Sequence, residues 1–204
     1  CLLAAALGVA GLLGMQRANQ GLDTVYQDRV VPLKQLKLVS DAYAINIVDT
    51  AHKVRDAAMT PAQGLQSVAQ ARKDIQEQWN AYLATELVAQ EVQLVGQFRS
   101  LQSTADTSVN RLEQIFKAGD TAALTAYAAK EMYPALDPLQ DVLGKLVQVQ
   151  LDIAKAEYEQ SESLYQGMAF GLIASLFISI ALALVFGYLV IRSIVQPLKR
   201  AVAF

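Results

Sequence analysis

Between Met168 and Ile191 the chain runs for 24 residues without one Asp, Glu, Lys, Arg, His, Asn or Gln. As a helix this run spans roughly 36 Å at about 1.5 Å per residue, enough to cross a bilayer with some tilt. A buried core helix is the soluble alternative, but uncharged runs of this length are read as membrane spans. Arg192, Lys199 and Arg200 follow it, whereas Glu157, Glu159 and Glu162 precede it, with no Lys or Arg between Lys155 and the run. The positive-inside rule therefore puts the C-terminal end in the cytoplasm and the preceding segment outside.

Cys1 to Gly14 is a second uncharged run, too short to cross alone. With no Met or basic segment before it, it is expected to be the C-terminal part of a first transmembrane helix. The signal-peptide alternative lacks a small-x-small cleavage site around Leu12 to Gln16, and a lipidated Cys1 would lead into a polar linker rather than more hydrocarbon. The expected division is 1–14 first span, 15–167 extracytoplasmic domain, 168–191 second span and 192–204 a cytoplasmic segment.

Charge and side-chain inventory exclude several function classes. The chain is 53% apolar with a net charge of −2 and no block of like charges, which argues against a nucleic-acid partner. One Cys and one His allow neither an internal disulfide nor a four-ligand zinc site nor a dithiol redox pair. No phosphate-binding Gly loop, Glu-x-x-His pair or facing carboxylate dyad has a supporting context, so no cofactor, metal or catalytic residue is expected and the chain is read as a non-enzyme. Glu157 and Glu159, two apart, point to different sides of a helix and read as surface charges.

Residues 15–167 hold 14 of the 17 Lys and Arg and all 19 Asp and Glu, a net of −5, with little Gly or Pro. Their apolar residues recur at helical spacing. The series Leu22, Tyr26, Arg29, Leu33, Leu36, Ser40, Tyr43, Ile47, Thr50, Val54 and Ala57 alternates steps of four and three, predicting a first helix to about Met59, kinked or restarted at Pro32. Thr60 followed by Pro61 predicts an N-cap and first turn. The second helix carries Leu65, Val68, Ile75, Trp79 and Leu83, and ends around Thr85 to Ala89. A third runs from about Gln90 to Phe116, stopped by Ala118-Gly119, with Asp120 or Thr121 to cap the next. The fourth keeps its stripe through Leu124, Ala128, Met132, Leu136, Leu143 and Gln150 and continues through Tyr165 into the span, its geometry broken near Pro134 and Pro138. These elements predict an all-α fold: an antiparallel up-down four-helix bundle whose long first and last helices are continuous with two transmembrane helices.

Several segments carry a family resemblance. Tyr26-Gln27-Asp28-Arg29-Val30-Val31-Pro32-Leu33, Val54-Arg55-Asp56, Ala118-Gly119-Asp120 and Tyr133-Pro134-Ala135-Leu136 resemble the four-helix-bundle sensor domain of bacterial methyl-accepting chemotaxis receptors. Ile191 to Lys199, with Pro197 after the membrane exit, resembles the start of a HAMP module. The resemblance implies a homodimeric inner-membrane receptor, in contact with membrane lipid, that binds a small molecule in the periplasm. It further implies that a movement of the fourth helix reaches HAMP and a cytoplasmic part that engages a histidine kinase and its adaptor. Sensor histidine kinases and diguanylate cyclases share such a front end, and some bundles are engaged by a periplasmic binding protein instead.

Family members that bind carboxylates use Arg near the membrane-distal part of helices 1 and 4. A planar guanidinium suits that task because it takes a carboxylate through two parallel hydrogen bonds. Arg55 is the only Arg in the distal half of helix 1, so it is the first candidate, with surface pairing to Asp56 or Asp49 as its plain alternative. Lys53 and Asn46 on helix 1, and Thr121, Tyr127 and Tyr133 at the matching level of helix 4, complete the candidate ligand-binding set, although core packing is the common role of such aromatics. Arg72 and Arg99 interrupt apolar surroundings on helices 2 and 3 and are expected to close inter-helix salt bridges. One Arg and one Lys where amino-acid receptors carry several Arg favour an organic acid as ligand.

Overall fold

The computed structural model describes residues 2–195; Gln196 to Lys199 of the HAMP-like segment lie outside them. All regular structure among the described residues is helical. Two compact units are present, one of residues 23–156 and one of residues 1–22 with 157–204.

The larger unit is the bundle. Its first rod comprises the end of α1 (Leu2–Val25), a π-helical turn Tyr26–Val30, α2 (Val31–Asp41), a π-helical stretch Ala42–Asp49 and α3 (Thr50–Arg55). Pro32 occupies the first turn of α2 and lacks the N–H that would bond back to residue 28. The chain absorbs that loss in the wider turn just before it, so the expected disruption takes the form of a π-bulge.

The first rod stops at Arg55, four residues short of the expected end, in a complete Schellman motif. Ala58 N–H donates to the Lys53 carbonyl at 2.8 Å and Ala57 N–H to Val54 at 3.2 Å, with Ala57 at φ 58° in the place usually held by glycine. Thr60 then caps α4 (Pro61–Leu83) as expected. Gln63 N–H donates to Thr60 Oγ1 at 3.3 Å and the Gln63 side chain accepts from Thr60 N at 3.0 Å, a reciprocal box.

α5 (Ala89–Ala118) ends at Gly119, φ 64°, and Asp120 caps α6 (Thr121–Lys130) by accepting from Ala123 N–H at 2.9 Å. The fourth rod breaks at Glu131, because the Pro134 ring would meet the carbonyl of Lys130 in an unbroken helix. It restarts as α7 (Met132–Val190), 59 residues long, which absorbs Pro138 without ending.

The four stripes meet in one core, with Leu36 and Ile47 from the first rod, Val68 and Trp79 from α4, Phe98 and Leu112 from α5 and Leu139, Leu143 and Leu146 from α7 all buried. Trp79 stacks on Phe98 at 3.9 Å between ring centroids. α2 packs on α4, α4 on α5, and α6 on both α3 and α5. Gly64 lets the start of α4 lie against its neighbours: a Cβ there would sit 2.8 Å from Val54 Cγ2 and 2.9 Å from the Phe116 ring.

Most polar groups described inside this core are matched, although the buried Gln150 Oε1 has no hydrogen-bond partner among the described residues. Glu91 is fully buried, and its carboxyl receives Tyr82 Oη at 2.6 Å, Gln150 Nε2 at 2.6 Å and Val88 N–H at 3.0 Å. Ser40 and Gln140 exchange two hydrogen bonds between α2 and α7 at 2.9 and 3.0 Å.

The smaller unit holds the apolar runs. Gly14 of α1 faces the Met168 sulfur of α7. Phe170, Phe177, Leu184 and Phe186 are exposed, each at 67% or more. In water such a surface would be costly, and apolar exposure of this kind suits a hydrocarbon surrounding. The helical stretch that contains α7, Met132–Ile194, is the one helix among the described residues long and apolar enough to cross a membrane, and none of its most apolar window is buried.

Candidate functional site

The end of the bundle where the first rod turns into α4 gathers part of the expected set. Arg55 projects from the last turn of α3, and its fork is occupied by the next residue: Nε donates to Asp56 Oδ1 at 2.8 Å and Nη2 to Oδ2 at 3.1 Å. These bonds hold the Asp56 carboxyl below, and the Arg55 guanidinium above, their ordinary ranges. Lys53 lies 2.6 Å from Asp49 one turn back. His52 Nε2 meets the Tyr133 hydroxyl at 2.8 Å, tying α3 to the start of α7, while the buried His52 Nδ1 has no partner among the described residues. Tyr133 remains 42% exposed and its hydroxyl lies within electrostatic range of Arg55.

The other three residues of the set make different contacts. Tyr127 is 1% exposed, with its hydroxyl 2.7 Å from Ser108 Oγ and donating to the Ser108 carbonyl at 3.1 Å. Burial above all pushes that phenol's pKa up. The structure thus gives Tyr127 the packing role, with no hydroxyl turned to solvent. Asn46 lies half-buried in the π-helical stretch, its carbonyl accepting from Ser67 at 3.0 Å. Thr121 is the exposed first residue of α6, and its carbonyl accepts from Thr125. Arg55, Lys53 and Tyr133 therefore share one end of the bundle, whereas the Tyr127 hydroxyl is engaged by Ser108.

A groove that sequence reading did not single out opens along the bundle between the first rod, α4 and α5. It encloses about 530 Å³ and is lined by Tyr43 and Ile47, by Ile75 and Trp79, and by Arg99 and Val109 among others. Tyr43 is 2% exposed as a residue, and its hydroxyl, which makes no hydrogen bond among the described residues, is not sealed from solvent. Burial, reinforced by Asp106, pushes its pKa up against a smaller opposite pull from Arg72. Arg72 makes the expected inter-helix bridge, with Nε 2.8 Å from Glu113, Nη2 2.6 Å from Asn110 and Nη1 3.9 Å from Asp106. Arg99 makes no such bridge among the described residues, and that contrast was invisible in two cations with similar apolar neighbours.

Among the described residues no group of three or more His, Cys, Asp or Glu is placed to hold a metal ion. The arrangement is one of recognition: hydrogen-bonding forks, phenols and apolar walls.

A family model described as a four helix bundle sensory module for signal transduction matches residues 1–165. The chain belongs to that family. The sensory module is also 39% identical, over 188 residues, to the methyl-accepting chemotaxis protein NahY of Pseudomonas putida, an alignment that covers 92% of this chain and 35% of that protein. The chain thus spans about a third of that relative's length. The resemblance drawn from its short motifs is borne out: the chain is a four-helix-bundle sensory module for signal transduction, similar to a part of a methyl-accepting chemotaxis protein. No solved structure matches it significantly.

Proposed function

We propose that residues 15–167 form a periplasmic domain that detects a small organic acid, and that residues 1–14 and 168–191 belong to two inner-membrane spans. The observation that carries this reading is the continuity of α7. One unbroken helix holds both the buried stripe from Leu136 to Gln150 and the uncharged run from Met168. A shift of that stripe against its neighbours is therefore a shift of the helix that enters the membrane.

Residues 192–204, in this reading, begin the HAMP module that passes the movement to a cytoplasmic part controlling a histidine kinase through its adaptor. The receptor works as a homodimer. The tip cluster supplies a first acid contact, with Arg55 as the fork, Lys53 as a second cation and Tyr133 as a hydroxyl. A ligand carboxylate would replace Asp56 on the Arg55 fork, an exchange between like groups at a solvated surface. Its cost is small because exposed ion pairs contribute little.

The test joins the chain to the kinase-control half of a working chemoreceptor and follows cells in gradients of succinate, citrate, benzoate and hexanoate. The reading expects a response to at least one acid, and Arg55→Ala weakens an acid recognised at the tip about tenfold or more. A fusion that still signals but ignores every acid contradicts direct sensing and points to a binding protein docked on the tip.

A further inference from the structure

We propose that the groove between the first rod, α4 and α5 is an acid-binding site separate from the tip, taking a small monocarboxylate with an apolar body held by Arg99 and Tyr43. The proposal rests on the reading of this chain as an organic-acid sensor and adds the place and the kind of acid.

The groove has the volume of a small-molecule site, about 530 Å³. Its floor is apolar, formed by Ile47, Ile75, Trp79 and Val109. The Tyr43 hydroxyl lies on this wall, without a hydrogen-bond partner among the described residues and not sealed from solvent. A phenol that no protein group engages is free to donate its hydroxyl proton to a ligand oxygen. Tyr43 also belongs to the π-helical stretch Ala42–Asp49, and local widening of this kind recurs at functional sites.

Charge selects the ligand's shape. Arg72 is already held by Glu113 and Asn110, whereas Arg99 has its fork free among the described residues. Asp106 also lines the groove, seven residues and so about 10 Å along α5 from Arg99, on the side of Arg72. A dicarboxylate laid along the groove would bring its second negative group toward Asp106. A monocarboxylate places its charge at Arg99 and only apolar atoms beyond it, over Trp79 and Ile75. Such a ligand touches the first rod, α4 and α5 together.

The test measures binding of benzoate, hexanoate, succinate and citrate to the full chain in lipid nanodiscs by calorimetry, with circular dichroism as the folding control. Benzoate and hexanoate are expected to bind, and Arg99→Ala to weaken both about tenfold to a hundredfold. Tyr43→Phe weakens them less, Gln102→Trp blocks the groove and abolishes binding, and Lys145→Ala, at an exposed position outside the groove lining, leaves both unchanged. The proposal is overturned if benzoate and hexanoate bind undiminished to folded Arg99→Ala and Gln102→Trp chains. It also falls, with acid sensing intact, if succinate or citrate binds and neither monocarboxylate does. If no acid binds the folded wild-type chain, acid sensing itself is overturned and this site with it.

Discussion

Tyr82 donates its hydroxyl to Glu91 at 2.6 Å inside the core, and Gln150 of α7 reaches the same carboxyl oxygen. Three rods are thereby joined by one acid whose partners are all neutral donors. Removing one partner strands the others, which is the expensive way to break a buried network. Glu91→Ala is expected to destabilise the bundle by about 2–4 kcal/mol and Tyr82→Phe by about 1–2 kcal/mol, read from denaturant midpoints. Equal, negligible effects would mean that water replaces the lost groups.

Gly64→Ala tests the close approach of α4. Alanine gains roughly 1 kcal/mol of helix propensity, but its methyl would press on a Val54 methyl at 2.8 Å and the Phe116 ring edge at 2.9 Å. Neither neighbour is the loose end of a long side chain, so overpacking wins. A net loss of about 1–2 kcal/mol is expected, with a larger loss for Gly64→Val. A stabilised Gly64→Ala protein would show that the two neighbours yield freely.

Ala57→Gly runs the other way. Ala57 holds a left-handed conformation that costs an L residue about 1 kcal/mol and glycine almost nothing. The substitution is expected to raise stability by about 0.5–1 kcal/mol while leaving the Schellman bonds in place. A lowered melting temperature would contradict this.

The helix stripes were legible because burial in a bundle repeats every three or four residues, as Leu36, Ile47, Phe98 and Leu143 show. Thr60 and Gly119 were legible because caps are local chemistry. The first-rod terminus was not, since Ala57 occupies a glycine position without being glycine. Nor was the end of α4 at Leu83, which no Gly or Pro marks. The second π-helical stretch and the groove arise from packing among three rods, which no single stripe encodes. Tyr127 and Tyr133 look alike in sequence, but one packs against Ser108 and the other stands half in solvent.

Alkaline pH should unfold this bundle through its tyrosines. Burial, as the first cause in each, raises the phenol pKa of Tyr43, Tyr82 and Tyr127. Their stabilising effect is fully present below the unfolded value near 10 and is lost as pH rises toward the folded values, because the unfolded chain releases protons that the folded chain keeps. Denaturant midpoints should stay level up to about pH 9 and then fall. The slope is about 1.4 kcal/mol per pH unit for each tyrosine involved, and smaller in Tyr43→Phe. A midpoint still level well above pH 10 would contradict the assignment.

The central claim is that acid binding moves α7 within the bundle. Spin labels at the exposed positions Lys73 on α4 and Lys145 on α7 report that movement directly in the full chain in nanodiscs. With succinate, citrate, benzoate or hexanoate in excess, at least one acid is expected to shift the label-to-label distance by about 1–2 Å, the scale of helix shifts in signalling proteins. Identical distance distributions with and without every acid would contradict the account.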